Sequence, residues 1–329
     1  MSSVLEQLSN LPPEIGENLH HFFTGYLRAA MESGQSEAEL KPIMLEFLRH
    51  VENEARSPSV FSAYHPKERQ PVDFYTFGLS LMRPLVDLSR SAVLGEEKVL
   101  KMEEQLARGE NVILLANHQT EPDPQLISLL LEKTHPEFAE EMIFIAGDRV
   151  TRDPLAVPFS RGRNLLCIHS KRHIDHPPEQ KEQKLLHNRK AMAVLGELLA
   201  QGGKAVYVAP SGGRDRVNID GVVEVATFDP QAIEMFALFA KQAGKPVHFY
   251  PLALYTFHLL PPPSSIGREL GEERHAQRTP IFASFGEEID WEGLPSLEGL
   301  DKHSKRIARA SAIQAMVTEM YQKLVGMDG

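Results

Sequence analysis

The chain has 329 residues, 42% of them apolar, a formal net charge of −10 and a single cysteine. Its length admits two domains or one large α/β domain with an extension, and its composition excludes a disordered or fibrous chain. The lone Cys167 excludes an internal disulfide and fits a reducing compartment, while the acidity argues against a general nucleic-acid binder.

The opening "MSSVLEQLSN" has neither a basic n-region nor an apolar h-region, so no signal peptide is expected. No run approaches the ~18 uninterrupted apolar residues that a bilayer span requires. Residues 1–60 read as helices. "PEIGENLHHFFTGYLRAAMESG" and "SEAELKPIMLEFLRHVENEA" repeat apolar residues at three- and four-residue spacing, and Ser36 with Glu39 forms a candidate capping box. "SPSVFSAYHPKERQPVD" (57–73), rich in Pro, Ser and charge, reads as a linker. "FYTFGLSLMRPLVDLSRSAV" reads as a further helical stretch, interrupted at Pro84.

After residue 98 the rhythm changes. Short apolar runs occur at "NVILLA" (111–116), "MIFIA" (142–146), "LLCI" (165–168), "AVYVA" (205–209) and "VHFYPLAL" (247–254). Between them lie the helical patterns "PQLISLLLEK", "HNRKAMAVLGELLAQGG" with Gly202 as a C-cap, and "PQAIEMFALFAKQAG" ending at Gly244. A last helix is expected over 301–325, starting at Asp301 and carrying Ile307, Ile313, Met316 and Met320 on one face. Strands alternating with helices predict an α/β fold, a mixed and mainly parallel sheet flanked by helices. The expected organisation is a small helical N-terminal domain, residues 1–65, and an α/β domain, residues 66–329.

Between the apolar runs of "VILLANHQTEPDPQLISLLLE" (112–132) lies a polar knot containing His118 and Asp123. His118 follows the carboxyl end of a predicted strand, where open α/β sheets place ligand crevices. Asp123 followed by Pro124 is a good helix start, and the bland alternative makes Asp123 an N-cap and nothing more. A tight turn through Pro122 can also return the carboxylate to the imidazole. There it would fix the tautomer and leave Nε2 as a general base for an alcohol.

The string "NHQTEPDP" resembles the soluble glycerol-3-phosphate acyltransferases of plant plastids and related bacteria, whose wider glycerolipid acyltransferase group shares the His-x-x-x-x-Asp spacing. "AGDRVTRDPLAVPFSRGRNLLCIHSKRH" (146–173), "APSGGRDR" (209–216) and "YPLALYTFHLLPPP" (250–263) are similar to that family in order and spacing. "RQPVDFYTFGLSLMRPLVD" (69–87) is a fainter echo. The resemblance is dense from about residue 60 to 290. It implies an acyltransferase that moves a fatty acyl group from an acyl-carrier-protein or acyl-CoA thioester to the 1-hydroxyl of sn-glycerol 3-phosphate, giving lysophosphatidate. His118 would be the base and Asp123 its orienter, with no further cofactor and no acyl-enzyme.

The acceptor's phosphate needs fixed cations. Arg214 and Arg216 follow two glycines that let the backbone turn toward an anion, and alternate positions of an extended loop point the same way. "SKRH" adds Lys171, Arg172 and His173. The resemblance maps the phosphate site onto Arg172, His173, Arg214 and Arg216. The family commonly has Lys at the position of Arg172, which keeps the charge and changes its reach. The alternative for each loop arginine is a surface ion pair with Asp215 or Asp220.

His118, His169, His173, His176 and Asp123 match no metal-site spacing, so no metal is expected. Cys167 reads as a buried strand residue, and Ser211 lacks a nucleophile-elbow setting. An apolar groove for the acyl chain is expected near His118, with candidate walls in "FYTFGLSLMRPL" and around residues 236–257. From Arg149 to Lys190 the chain carries ten Lys or Arg against four acids, a surplus of about +6. The bland reading is a solvated face. The sharper one is a docking face for acidic acyl carrier protein, or for the phosphates of acyl-CoA.

Three alternatives stay open at this point. A lysophospholipid acyltransferase would prefer lysophosphatidate as acceptor. A non-catalytic lipid- or carrier-binding module would bind without turnover. A serine hydrolase would label at Ser211 with a fluorophosphonate. The expected setting is soluble: plastid stroma for a processed plant or algal protein, cytoplasm for a bacterial one.

Overall fold

The computed structural model describes residues 4, 8–170, 174–263, 274–291, 293–294 and 299–328. Two long helices come first, α1 (Pro13–Met31) and α2 (Glu37–Arg56). The Ser36–Glu39 capping box forms in both directions, so the start of α2 has its exposed amides satisfied. The stretch 57–73 is more than a linker. Its strand β1 (Tyr64–His65) pairs antiparallel with the sheet edge, and the Gln70–Pro71 bond is cis. Helix α3 (Phe74–Met82) then stops near Pro84, and the tail read as helical instead supplies strand β2 (Ala92–Leu94).

The remaining chain alternates as its patterning demands. Helix α4 (Glu96–Ala107), strand β3 (Asn111–Ala116), helices α5 (Asp123–Leu131) and α6 (Pro136–Glu141) and strand β4 (Ile143–Gly147) lead to helix α7 (Val157–Arg161) and strand β5 (Asn164–Ile168). Helix α8 (Lys181–Gln201) ends at Gly202, where φ is 82°, a left-handed value that glycine adopts without steric cost. Strand β6 (Ala205–Val208), the short pair β7 (Arg216–Val217) and β8 (Val223–Glu224), helix α9 (Pro230–Gln242) and strand β9 (Val247–Tyr255) follow. Strand β10 (Phe282–Phe285) and helix α10 (Lys302–Val325) close the described order. Asp301 caps α10 through the amides of His303 and Ser304. Ile313 is on its buried face, whereas Ile307 is exposed.

Eight strands form one sheet in the order β1-β5-β4-β6-β3-β9-β10-β2, antiparallel at β1–β5 and β9–β10 and parallel elsewhere. The fold is therefore a mixed, mainly parallel α/β sheet flanked by helices. Strand β3 is central, and all six of its residues are buried. A run apolar on both faces fits a strand covered on both sides. One apolar cluster joins Phe22, Phe23 and Phe47 of the first helices to Phe77 and Met82 of α3 and Leu126 of α5. The N-terminal helices thus lie against the chain that leaves β3, and that contact positions the site described next.

Candidate active site

His118 lies two residues beyond β3, at the carboxyl end of the sheet's central strand. Its Nδ1 is 2.8 Å from Oδ2 of Asp123. The imidazole is partly exposed, while the carboxylate is buried. Oδ2 also accepts the backbone N–H of Gln119 at 2.8 Å and of Thr120 at 3.3 Å, and Oδ1 accepts Oγ1–H of Thr256 at 2.6 Å. Asp123 opens α5, but its side chain makes no capping bond to that helix. The cap expected from "DP" is therefore absent. The carboxylate is turned back, with Oδ2 taken up by the turn that carries His118 and Oδ1 by Thr256.

A buried polar net holds this turn. Asn117 Nδ2 donates to Asp215 Oδ2 (2.8 Å) and to the Leu254 carbonyl (3.0 Å), and its Oδ1 accepts the Leu254 amide (2.7 Å). Gln119 Nε2 donates to Asp215 Oδ2 at 3.2 Å, and Gln119 Oε1 accepts the Thr256 amide at 2.7 Å. Tyr207 Oη donates to the Asn117 carbonyl at 2.7 Å. Thr120 Oγ1 donates to the Leu260 carbonyl at 2.6 Å. Buried polar groups need such partners, and this cluster supplies them from β3, β6, β9 and the glycine loop together. Burial pushes the Asp215 carboxyl up to about 6, against the Ala226, Asn117 and Gln119 donors and nearby His118. The Tyr207 hydroxyl is held well above its ordinary value by burial and by the Asp123 and Asp215 charges.

His118 opens onto a cavity of about 750 Å³. Phe22, Phe47, Met82, Phe159 and Leu260 form apolar wall, and Arg149, Arg214 and Arg216 stand on the same surface. A cavity of this size, with apolar wall on one part and many charged and polar groups on the rest, suits a small-molecule substrate that has both characters. Of the walls expected from sequence, Met82 belongs to "FYTFGLSLMRPL", but the segment 236–257 contributes no lining residue, because β9 and α9 pack inward. A buried ion-pair cluster on the cavity wall was not read from sequence. Arg274 pairs with Glu121 Oε2 at 3.1 Å and with Asp153 Oδ2 at 2.8 Å. It ties the turn between His118 and Asp123 to the loop before α7.

Arg214 and Arg216 both line the cavity, after Gly212 in the left-handed region at φ 62°. Asp215 between them points the other way, its oxygens held by Asn117, Gln119 and the Ala226 amide, so it is not the surface counter-ion considered for them. Arg216 Nη1 lies 3.4 Å from the Pro263 carbonyl. Lys171, Arg172 and His173 lie outside the described residues, and the preceding Ser170 lines the cavity. Cys167 is buried in β5 with its thiol pushed up to about 12 by burial. Ser211 Oγ donates to the Gly213 carbonyl at 2.8 Å, and among the described residues no hydrogen bond joins it to a histidine. Among the described residues no cluster of His, Cys, Asp and Glu could hold a metal ion, and no helix is long and apolar enough to cross a membrane.

The basic stretch 149–190 divides by burial. Arg161 is paired with Glu54 and Glu68, and Arg163 is buried. Lys184, expected on the exposed face, is buried and lines the cavity, with its Nζ on the His176 carbonyl. Lys181, Arg189 and Lys190 on α8 are exposed, as are Leu185 and Leu186 beside them.

Residues 98–255 match the family model described as Acyltransferase. The chain is 38% identical over 324 residues to the chloroplastic glycerol-3-phosphate acyltransferase of Spinacia oleracea, covering 97% of this chain and 68% of that one. It is 36% identical over 316 residues to a chloroplastic glycerol-3-phosphate acyltransferase of Cucurbita moschata, covering 94% and 71%. Among solved structures it is similar to the 1-acyl-sn-glycerophosphate acyltransferase PlsC of Thermotoga maritima, at 17% identity and a TM-score of 0.44 over 94% of this chain and 97% of that chain.

Proposed function

Because this chain belongs to the glycerol-3-phosphate acyltransferase family, we propose that the cavity beside His118 is where it acylates the 1-hydroxyl of sn-glycerol 3-phosphate. The observation that carries this reading is the 2.8 Å His118–Asp123 contact on the same cavity surface as Arg214 and Arg216. With Nδ1 engaged, His118 Nε2 is left to take the hydroxyl proton as the new C–O bond forms. Asp123 holds the tautomer and stabilises the imidazolium. Collapse of the tetrahedral intermediate expels the thiolate, which recovers the proton from His118. The acceptor attacks directly, so no residue becomes acylated.

Arg214 and Arg216 bind the acceptor's phosphate, with Lys171, Arg172 and His173 as further ligands in this reading. Arginine forks suit a phosphate dianion and hold the hydroxyl at a fixed distance from it. The acyl chain takes the apolar wall. Residues 1–65, which we propose as a helical domain by chain order although their last two residues join the sheet as β1, contribute Phe22 and Phe47 to that wall. Enlarging Phe47 to Trp is then expected to shorten the longest acyl chain accepted. An unchanged chain-length profile would remove the N-terminal helices from substrate contact.

The donor we propose is acyl carrier protein, docked on the exposed face of α8, with acyl-CoA as its substitute. The setting is an aqueous compartment, plastid stroma or bacterial cytoplasm. Activity that stays in the membrane pellet after a high-salt wash would count against it. The deciding assay is acyl transfer from a palmitoyl or oleoyl carrier-protein thioester to labelled glycerol 3-phosphate. Wild-type protein is expected to form lysophosphatidate, and His118→Ala to lower kcat by roughly 10²–10⁴ with the fold intact. Full activity in the variant would remove His118 from the reaction, and no product from wild type would overturn the reading.

A further inference from the structure

Arg163, one residue before β5, is the largest fully buried side chain among the described residues, 1% exposed, and it lines the same cavity as His118. Nη1 donates to Ser128 Oγ at 2.6 Å, and Ser128 in turn donates to the Pro124 carbonyl at 3.2 Å. The guanidinium carbon stands 4.6 Å from the centre of the Tyr75 ring. Among the described residues its Nε and Nη2 are buried with no hydrogen-bond partner at normal distance, Tyr75 alone offering the guanidinium a weaker side-chain hydrogen bond. Among the described residues no carboxylate pairs with it. Burial draws its proton affinity down to about 10, with Tyr75 and Glu140 opposing.

A buried guanidinium with two open donors is costly, and such groups are kept where something else completes them. The other buried arginine on this wall, Arg274, is matched by two carboxylates, so the omission at Arg163 is local to that place. Phosphate is served elsewhere in the proposed reading, by the glycine-loop arginines. A hydrocarbon tail offers no acceptor. Of the neutral acceptors that remain, which include the hydroxyls of glycerol 3-phosphate, the strongest is a carbonyl oxygen of the acyl donor, either of the thioester or of the amides in the arm that carries it.

We propose that Arg163 is a substrate-binding residue whose Nε and Nη2 take a carbonyl oxygen of the acyl donor inside the cavity. This rests on the acyl-transfer reading above and adds a residue to it. Ser128 and the Tyr75 ring hold the guanidinium at the cavity wall, and because Nε and Nη2 have no solvent exposure, the substrate reaches them through a small shift of the side chains that cover them.

The test compares wild type with Arg163→Met and Arg163→Lys in the full chain. It uses a palmitoyl-pantetheine thioester, its thioether analogue without the thioester carbonyl, and glycerol 3-phosphate. Losing a hydrogen bond to a charged group is expected to raise KM for the donor by roughly ten- to hundred-fold in Arg163→Met. KM for glycerol 3-phosphate stays unchanged, and Arg163→Lys recovers part of the loss. Equal weakening of the thioether's Kd assigns the contact to an arm amide. An unaffected thioether assigns it to the thioester carbonyl. Donor KM and thioether Kd both at wild-type values in folded variants would overturn the proposal and leave Arg163 to ordered water. Should Arg163→Met fail to fold, Arg163→Lys alone decides through the same two ratios. Because wild type is assayed alongside, absent activity there would count against the acyl-transfer reading and not against Arg163.

Discussion

At Asp215 the chain sets a carboxylate where water does not reach and meets it with three donors, from Asn117, Gln119 and the Ala226 amide. Burial still wins, and the carboxyl rises from 3.8 to about 6. Below about pH 4 the group is protonated in both states. As pH rises the unfolded chain ionises first, so the folded state holds the extra proton and stability falls until about pH 6. The loss is about 3 kcal/mol. Activity has the opposite sense, because the ionised carboxylate accepts the donors that fix the turn at His118 and the loop bearing Arg214 and Arg216. Asp215→Asn places an amide against Asn117 and Gln119, so it is expected to be less stable than wild type at pH 7. Since it cannot titrate, its deficit should widen by about 3 kcal/mol as pH falls from about 7 to 4. Urea unfolding across that range reads the difference directly, and parallel curves for the two proteins would show that Asp215 does not titrate there.

Strands β3 and β9 run parallel in register as far as Ala116 opposite Leu252, and beyond that point the side chains of Asn117 and Gln119 continue the ladder onto the backbone of Leu254 and Thr256. The two strand ends are thus fastened together where the sheet hands over to the site. Thr256 adds the single bond to Asp123 Oδ1, and Thr256→Val keeps the shape and removes it. The variant is expected to lose about 1–3 kcal/mol of stability, the cost of an unmet buried acceptor. Its kcat should fall while KM for glycerol 3-phosphate holds, and steady-state kinetics with thermal melts would check both. The pattern also explains what the sequence disclosed. The strands β3, β4, β5, β6 and β9 were legible because each contains an unbroken apolar run lying next to a helical pattern in the chain. Strands β1, β2, β7 and β8 have two or three residues, too few to display a period, and β1, β2 and β10 are defined by pairing with partners distant in sequence. His118 and Asp123 were legible for the converse reason, being five residues apart. Thr256 meets Asp123 across 133 residues, and no local spacing announces it. Polar residues following two buried strands were the available signal.

At the scale of the whole molecule, the proposed donor is an acidic carrier, and long-range repulsion from a chain of net −10 opposes that encounter unless one face reverses the sign. Burial narrows that face. Of the basic stretch, Arg149, Arg152 and Lys184 line the cavity, Arg161 belongs to an internal ion-pair network, Arg163 to the cavity wall, and Lys171 and Arg172 lie outside the described residues, so the exposed start of α8 is the face we consider. There Lys181, Arg189 and Lys190 surround Leu185 and Leu186, so charge could steer a partner and apolar surface could hold it. Lys181 already pairs with Asp175, but both are exposed, and such a pair exchanges readily for another anion. Reversing Lys181, Arg189 and Lys190 to Glu is therefore expected to raise KM for the carrier-protein thioester about ten-fold or more at low salt. The effect should shrink as salt screens it, while kcat and the KM for glycerol 3-phosphate stay put. A matched assay with a palmitoyl-pantetheine thioester, which has no acidic carrier, separates docking from chemistry. If that small donor is impaired equally, the substitutions have disturbed the cavity through α8. If neither donor is impaired, carrier recognition belongs to another surface.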